Sequence, residues 1–85
     1  MRSTLRHTIP VAIHPGEYLN EILIELGRSQ AELARALDVS PMRVSHIIKG
    51  KRPITAALAL RLGRVLHQSP AYWLNLQTAF DLATA

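Results

Sequence analysis

The chain has 85 residues, of which 48% are hydrophobic and 19% charged, a composition typical of a folded domain rather than a disordered segment. A chain of this size buries only about 60% of its unfolded surface, which favours one compact helical unit or an oligomer. The absence of cysteine excludes disulfides, a thiol nucleophile and cysteine-ligated zinc. The longest unbroken apolar run, residues 56–60, is far shorter than the ~20 residues that span a bilayer, so we expect a soluble, cytoplasmic protein without a membrane partner.

The positive charge is concentrated in the middle of the chain. Residues 28–67 contain eight Lys and Arg against two acidic residues, a net charge of +6, whereas residues 1–27 and 68–85 each carry a net charge of −1. A basic block of this kind favours an anionic partner, with nucleic acid the leading candidate. A solvated basic face would show the same pattern, so charge alone leaves both interpretations open.

Helix-forming residues dominate, and strand patterns are scarce. The starts of helices are indicated by prolines at first helical positions and by hydroxyl caps at Ser29, Ser40, Thr55 and Ser69. Gly27 and Gly50 mark helix ends. These signals predict an all-α chain with five helices, over residues 15–26, 30–37, 41–48, 56–66 and 70–83. Residues 1–13 are predicted to form a flexible or strand-like arm, and residues 14–85 a single domain.

The second and third predicted helices are separated by only three residues, 38–40. So short a turn makes the two helices cross steeply, which is the geometry of a helix-turn-helix. In the third helix, Val44 and Ile47 lie on one face, while hydrogen-bonding and basic residues lie on the other. A short helix with these two faces can enter the major groove of DNA. The alternative is an ordinary surface helix of a bundle.

Residues 30–49 resemble the helix-turn-helix of the phage-repressor (XRE) family, with Ala34 at the fifth place and Val44 and Ile47 at late apolar places. The resemblance implies a five-helix, lambda-repressor-like helix-turn-helix domain. Asp38 departs from the family pattern, which usually has glycine in the turn. Aspartate tolerates the left-handed backbone conformation better than most residues, so we expect the turn to form at modest cost.

Matching these residues to the positions of the family's helix-turn-helix motif assigns roles in DNA binding. The candidates for reading bases are outward-facing residues of the third helix, namely Met42, Arg43, Ser45 and His46, of which Arg43 is best suited to a guanine. Met42, with Pro41 before it, stands where repressors often carry polar residues and could make apolar contact with a thymine methyl. The candidates for contacting phosphates are Gln30, Ser40, Lys49, Lys51 and Arg52. Ser40 is expected to act mainly as a helix cap.

Segments outside the motif resemble the HigA-type antitoxins, also called virulence-associated protein I. They are residues 14–17, residues 50–55 and residues 69–77, of which Trp-Leu-Asn-Leu-Gln is the most specific part. The resemblance covers about residues 14–83. It implies a type II toxin–antitoxin module, in which the antitoxin silences a HigB-type, RelE-like ribonuclease and, as a homodimer on a palindromic operator in double-stranded DNA, represses its own operon.

The fifth predicted helix is apolar on more than one side, so packing one face against the rest of the domain would leave apolar side chains exposed to water. A two-fold dimer through this helix would bury Tyr72, Trp73, Leu76 and Phe80, and would set two recognition helices one DNA turn apart. The alternative is that Trp73 and Phe80 close the core of the monomer.

The first predicted helix offers a second surface. Glu17, Glu21 and Glu25 repeat at four-residue spacing beside Ile24, and like charges at this spacing repel each other. A basic toxin would relieve that repulsion, which makes this face the candidate for toxin binding. A merely solvated acidic face is the alternative. Leu26 is assigned to the inward face of the same helix.

No enzyme activity, cofactor, small-molecule substrate or metal site is predicted. The four histidines are scattered, and the chain has neither a nucleophile turn nor a Gly-rich phosphate loop. His14 is assigned to the entry geometry of the first helix. Two alternatives to the antitoxin remain, a stand-alone repressor without a toxin and a helical adaptor whose basic block is only solvated. A salt titration of DNA binding separates the adaptor from the other two.

Overall fold

The computed structural model describes residues 13–85, so the predicted N-terminal arm lies outside the described residues except for Ile13. The described part contains five helices: α1 (Pro15–Leu26), α2 (Gln30–Leu37), α3 (Pro41–Ile48), α4 (Ala56–Leu66) and α5 (Pro70–Thr84). The predicted all-α, five-helix fold is confirmed, and only the end of the last helix differs from the predicted bounds. Within residues 13–85, each helix is too short or too polar to cross a membrane.

Each helix begins where a side chain can bind its free backbone N–H groups. At the start of α2, the N–H of Glu32 donates to Oγ of Ser29 at 3.1 Å, and the N–H of Ser29 donates to the Glu32 carboxylate at 2.8 Å. These hydrogen bonds with Ser29 hold the pKa of Glu32 below its ordinary value. At the start of α1, Nδ1 of His14 accepts from the N–H of Gly16 at 2.9 Å. Hydroxyl caps begin the other three helices, at Ser40, Thr55 and Ser69.

A single hydrophobic core joins all five helices. Helix α1 packs against α3 and α5, α2 packs against α3 and α4, and α4 packs against α5. Val44 and Ile47 hold α3 to this core, as predicted, and Ala34 is buried on α2. Because α3 is fixed along one side only, its other side remains at the surface.

The turn between α2 and α3 is held from α4. Asp38 adopts the left-handed conformation with φ 58°, as expected for this turn. Nη1 of Arg61, on α4, donates to the carbonyl oxygen of Leu37 at 2.9 Å and to that of Asp38 at 3.2 Å. These carbonyls end α2 and have no partner within the helix, so Arg61 caps them and fixes the angle at which α3 leaves.

Helix α1 begins in close contact with the end of α3. A Cβ atom added at Gly16 would lie 2.7 Å from the carbonyl carbon of Ile47 and 2.9 Å from Cα of Ile48. Only glycine fits between the two backbones at this point. The close approach sets the position of the C-terminal end of α3.

Helix α5 is fastened to the segment before α4 by Gln77, which is buried. The N–H of Ile54 donates to Oε1 of Gln77 at 2.7 Å, and Nε2 of Gln77 donates to Oδ1 of Asp81 at 2.9 Å. Since Ile54 is also buried, this amide supplies a partner for a backbone donor that water does not reach.

Candidate nucleic-acid interface

Helix α3 presents its polar side to solvent. Val44 and Ile47 are buried, whereas Met42, on the opposite side, is 66% exposed. The structure places all four predicted base-reading residues at the surface, with Met42 exposed and the other three half-buried along its flanks: Arg43, Ser45 and His46. A helix with this division can approach a groove with one face while the other keeps its hold on the core.

The predicted phosphate-contacting residues lie at the ends of α2 and α3. Gln30 is the first residue of α2, where backbone N–H groups are free to bind an anion. Oγ of Ser40 accepts from the N–H of Arg43 at 3.1 Å, so this hydroxyl serves as the cap of α3. The three cations that follow α3 are exposed: Lys49, Lys51 and Arg52.

The segment after α3 turns back toward the helix. Gly50 has φ 75°, and its N–H donates to the carbonyl of Ile47 at 3.0 Å. The N–H groups of Lys51 and Arg52 both donate to the carbonyl of His46, at 2.8 and 3.3 Å. Arg52 consequently lies beside α3, where it lines a cleft of about 170 Å³ together with Ser40, Met42, Arg43 and His46. We call this cleft the reading cleft.

Buried His14 joins the same segment to α1 and α5. Its ring meets that of Phe80 edge-on, with centroids 4.9 Å apart, and the backbone of Arg52 lies beside it. Burial lowers the pKa of His14, and this effect outweighs the opposing influence of the Arg52 backbone and of the carboxylates of Asp81 and Glu17. The sequence indicated only the helix-entry role of His14, because its partners lie on distant parts of the chain.

The predicted toxin-binding face of α1 lies at the surface. Glu17, Glu21 and Glu25 are exposed, and Ile24 beside them is 71% exposed. The inward assignment of Leu26 was wrong, since this residue is 56% exposed. The last buried residue of α1 is Leu23, and the turn that follows extends past the core.

Only part of the predicted dimer surface on α5 is exposed to solvent and open to contact with a second chain. Trp73 has no exposed surface within the single chain, so its inclusion in that surface was wrong. Its indole fills the core of the monomer, which was the alternative left open by the apolar pattern. Tyr72 is exposed, and Leu76 and Phe80 are half-buried, so these three keep surface that a second chain could cover.

Comparison with known proteins identifies the family. A family model described as helix-turn-helix matches residues 19–73, which include α2, α3 and α4 in full. Virulence-associated protein I of Dichelobacter nodosus is 49% identical over 75 residues, which are 87% of this chain and 69% of that protein. A HigA-family addiction module antidote protein from Coxiella burnetii has a structure with a TM-score of 0.87 at 44% identity, covering 89% of this chain and 84% of that one. The chain belongs to the helix-turn-helix family, among the HigA-type proteins.

A second HigA-type structure shows such a protein with DNA. The antitoxin HigA of Pseudomonas aeruginosa, solved with the higBA promoter, is 48% identical, with a TM-score of 0.84, and covers 87% of this chain and 82% of its own. The resemblance to the XRE and HigA-type families found in the sequence is therefore confirmed.

Proposed function

We propose that this HigA-type protein is a sequence-specific DNA-binding antitoxin that represses its own operon. Helix α3 enters the major groove, where Met42, Arg43, Ser45 and His46 face base edges. The DNA backbone is held from both sides of the groove by Gln30, Ser40, Lys49, Lys51 and Arg52. The observation that carries the proposal is the polar, cationic side of α3, which stays at the surface while Val44 and Ile47 keep the helix in the core.

Two alanine variants test the division between base reading and phosphate binding. Arg43→Ala removes a guanidinium suited to guanine and should lower affinity for the operator far more than for random duplexes. Lys51→Ala removes an exposed cation and should weaken binding to every duplex, with the slope of log K against log salt falling by about one. Fluorescence anisotropy between ~50 and 200 mM salt measures both quantities. Equal losses on operator and random DNA for both variants would contradict this assignment.

A homodimer is the expected DNA-binding form, because a two-fold axis places two copies of α3 about 34 Å apart on a palindromic site. Tyr72, Leu76 and Phe80 on α5 form the proposed contact. Tyr72→Asp should lower the dimer population in sedimentation and weaken binding to a full palindrome, while binding to an isolated half-site changes little. A stable dimer in this variant would place the interface elsewhere.

The proposed toxin partner is a basic, HigB-type ribonuclease that binds the acidic face of α1. Glu17, Glu21 and Glu25 supply the charge, and Ile24 supplies an exposed apolar contact beside them. Glu21→Lys combined with Glu25→Lys should slow association with the product of a small adjacent reading frame, because electrostatic attraction raises association rates. Operator binding is the control and should remain. An unchanged association rate would remove α1 from the toxin interface.

A further inference from the structure

Arg52 and Lys51 are neighbours with the same charge, but they are placed differently. Both backbone N–H groups donate to the carbonyl of His46, which ties the two residues to α3. The Arg52 side chain lines the reading cleft with residues of α3, whereas Lys51 is not among the residues that line it. A cation that shares a cleft with base-reading residues meets a different part of the duplex from one that lies outside it.

The backbone of Arg52 is anchored on both sides. On one side its N–H donates to the carbonyl of His46, and the buried ring of His14 lies beside it. On the other, Pro53 restricts the chain, and the N–H of Ile54 donates to Gln77 at 2.7 Å. Because the backbone is fixed before DNA arrives, less conformational freedom is lost when the guanidinium makes a contact.

The chemistry of the reading cleft suits the edge of a guanine. Arg52 and Arg43 supply two guanidinium groups, and none of the lining residues is a carboxylate that would neutralise them. A guanidinium donates two parallel hydrogen bonds to O6 and N7 of guanine in the major groove. Met42 lines the same cleft and is largely exposed, so it adds an apolar surface for a base next to the guanine.

We propose that Arg52 is a specificity-determining residue that binds the O6 and N7 edge of a guanine next to the base that Arg43 contacts. This inference rests on the proposed DNA-binding function and deepens it. It also changes the role expected of Arg52 from a contact with phosphate to a contact with a base.

The experiment uses the full chain and an operator selected from random duplexes, in which each guanine is replaced in turn by 7-deazaguanine. This analogue lacks N7 and so removes one of the two acceptors of the contact, which predicts a loss of affinity of about fivefold at each contacted guanine. Wild-type protein should lose affinity when 7-deazaguanine replaces the guanine read by Arg43, and again when it replaces the adjacent guanine read by Arg52. Arg52→Ala should abolish sensitivity at the second guanine only, and Arg43→Ala at the first only.

Two further variants separate charge from geometry. Lys51→Ala is the matched control and should keep sensitivity at both guanines. Arg52→Lys keeps the charge without the planar fork, so it should retain affinity for random duplexes and show a smaller sensitivity than wild type at the second guanine. Thermal melting should match wild type for all variants, since the hydrogen bond by which Arg52 holds this segment to α3 is made by its backbone N–H.

The outcomes distinguish the two proposals. Suppose that Arg52→Ala stays sensitive to 7-deazaguanine at every guanine where wild type is sensitive, and that its affinity falls equally for operator and random duplexes. Arg52 is then a phosphate contact and this inference is wrong. If the wild-type protein shows no preference among duplexes, the proposed DNA-binding function itself fails.

Discussion

Gln77 provides a direct test of how α5 is attached. Gln77→Met keeps the length of the side chain but removes both polar atoms, so the buried N–H of Ile54 loses the acceptor that lies 2.7 Å away. An unsatisfied buried donor costs about 1–3 kcal/mol. The lost hydrogen bond to Asp81 adds little, because Asp81 is exposed. For a domain of this size, 1 kcal/mol corresponds to about 4–8 °C, so the melting temperature should fall by about 4–24 °C.

Circular dichroism melts and urea denaturation at one fixed protein concentration measure this change, since any self-association would make stability depend on concentration. Gln77→Glu keeps an acceptor for Ile54 but sets a buried carboxylate against that of Asp81, so it should also lose stability, and the loss should be larger at neutral than at acidic pH. Asn75→Ala is the control, because Asn75 is exposed on the same helix and its replacement should stay within about 0.5 kcal/mol of wild type. If Gln77→Met proves as stable as wild type, the buried amide does not hold α5 in place.

Three other variants test the start of α1 and the cap of α2. Gly16→Ala brings a methyl group against the backbone of Ile47, and the resulting shift should cost about 1–3 kcal/mol in urea denaturation and weaken operator binding; unchanged stability would contradict the close approach. Because the pKa of His14 is lowered by burial, the unfolded ring takes up a proton first, so stability should fall as pH drops through the ordinary value of 6.5. His14→Asn, which keeps a cap acceptor, should reduce that slope, and equal slopes would refute the assignment. The lowered pKa of Glu32 gives stability that is present above its ordinary value of 4.5 and lost as pH falls through the folded-state pKa, so Glu32→Gln should flatten the acid side of the profile, and an unchanged acid side would contradict the capping role of Glu32.

The helices could be predicted because their signals are local. A capping box is read within four residues, and a proline at a first helical position needs no distant partner. The same applies to α3, where Val44 and Ile47 show by their spacing which face packs inward. Local patterns therefore also predicted which side of α3 stays at the surface, namely the side opposite to these two residues.

The contacts that fix the site could not be predicted, because their partners are far apart in the chain. Arg61 was counted in the basic block, yet its guanidinium caps carbonyls at the end of α2, 23 and 24 residues earlier. Gln77 was noted only as part of the Trp-Leu-Asn-Leu-Gln resemblance, and nothing in the sequence indicated that its side chain is buried, since a polar residue on an amphipathic helix is usually solvated. The apolar stripe of α5 could not tell whether Trp73 packs in its own core or against a second chain, because both arrangements require the same residues.

The burial of Trp73 has a practical use. It is the only tryptophan in the chain, it lies inside the core, and the ring of Tyr72 meets it edge-on with centroids 5.1 Å apart. Indole fluorescence moves to longer wavelength when the ring meets water, so unfolding will shift the emission. DNA docked on α3 will leave the emission wavelength unchanged, because the indole stays in the core. One emission spectrum therefore separates a variant that has lost its DNA contacts from a variant that has lost its fold.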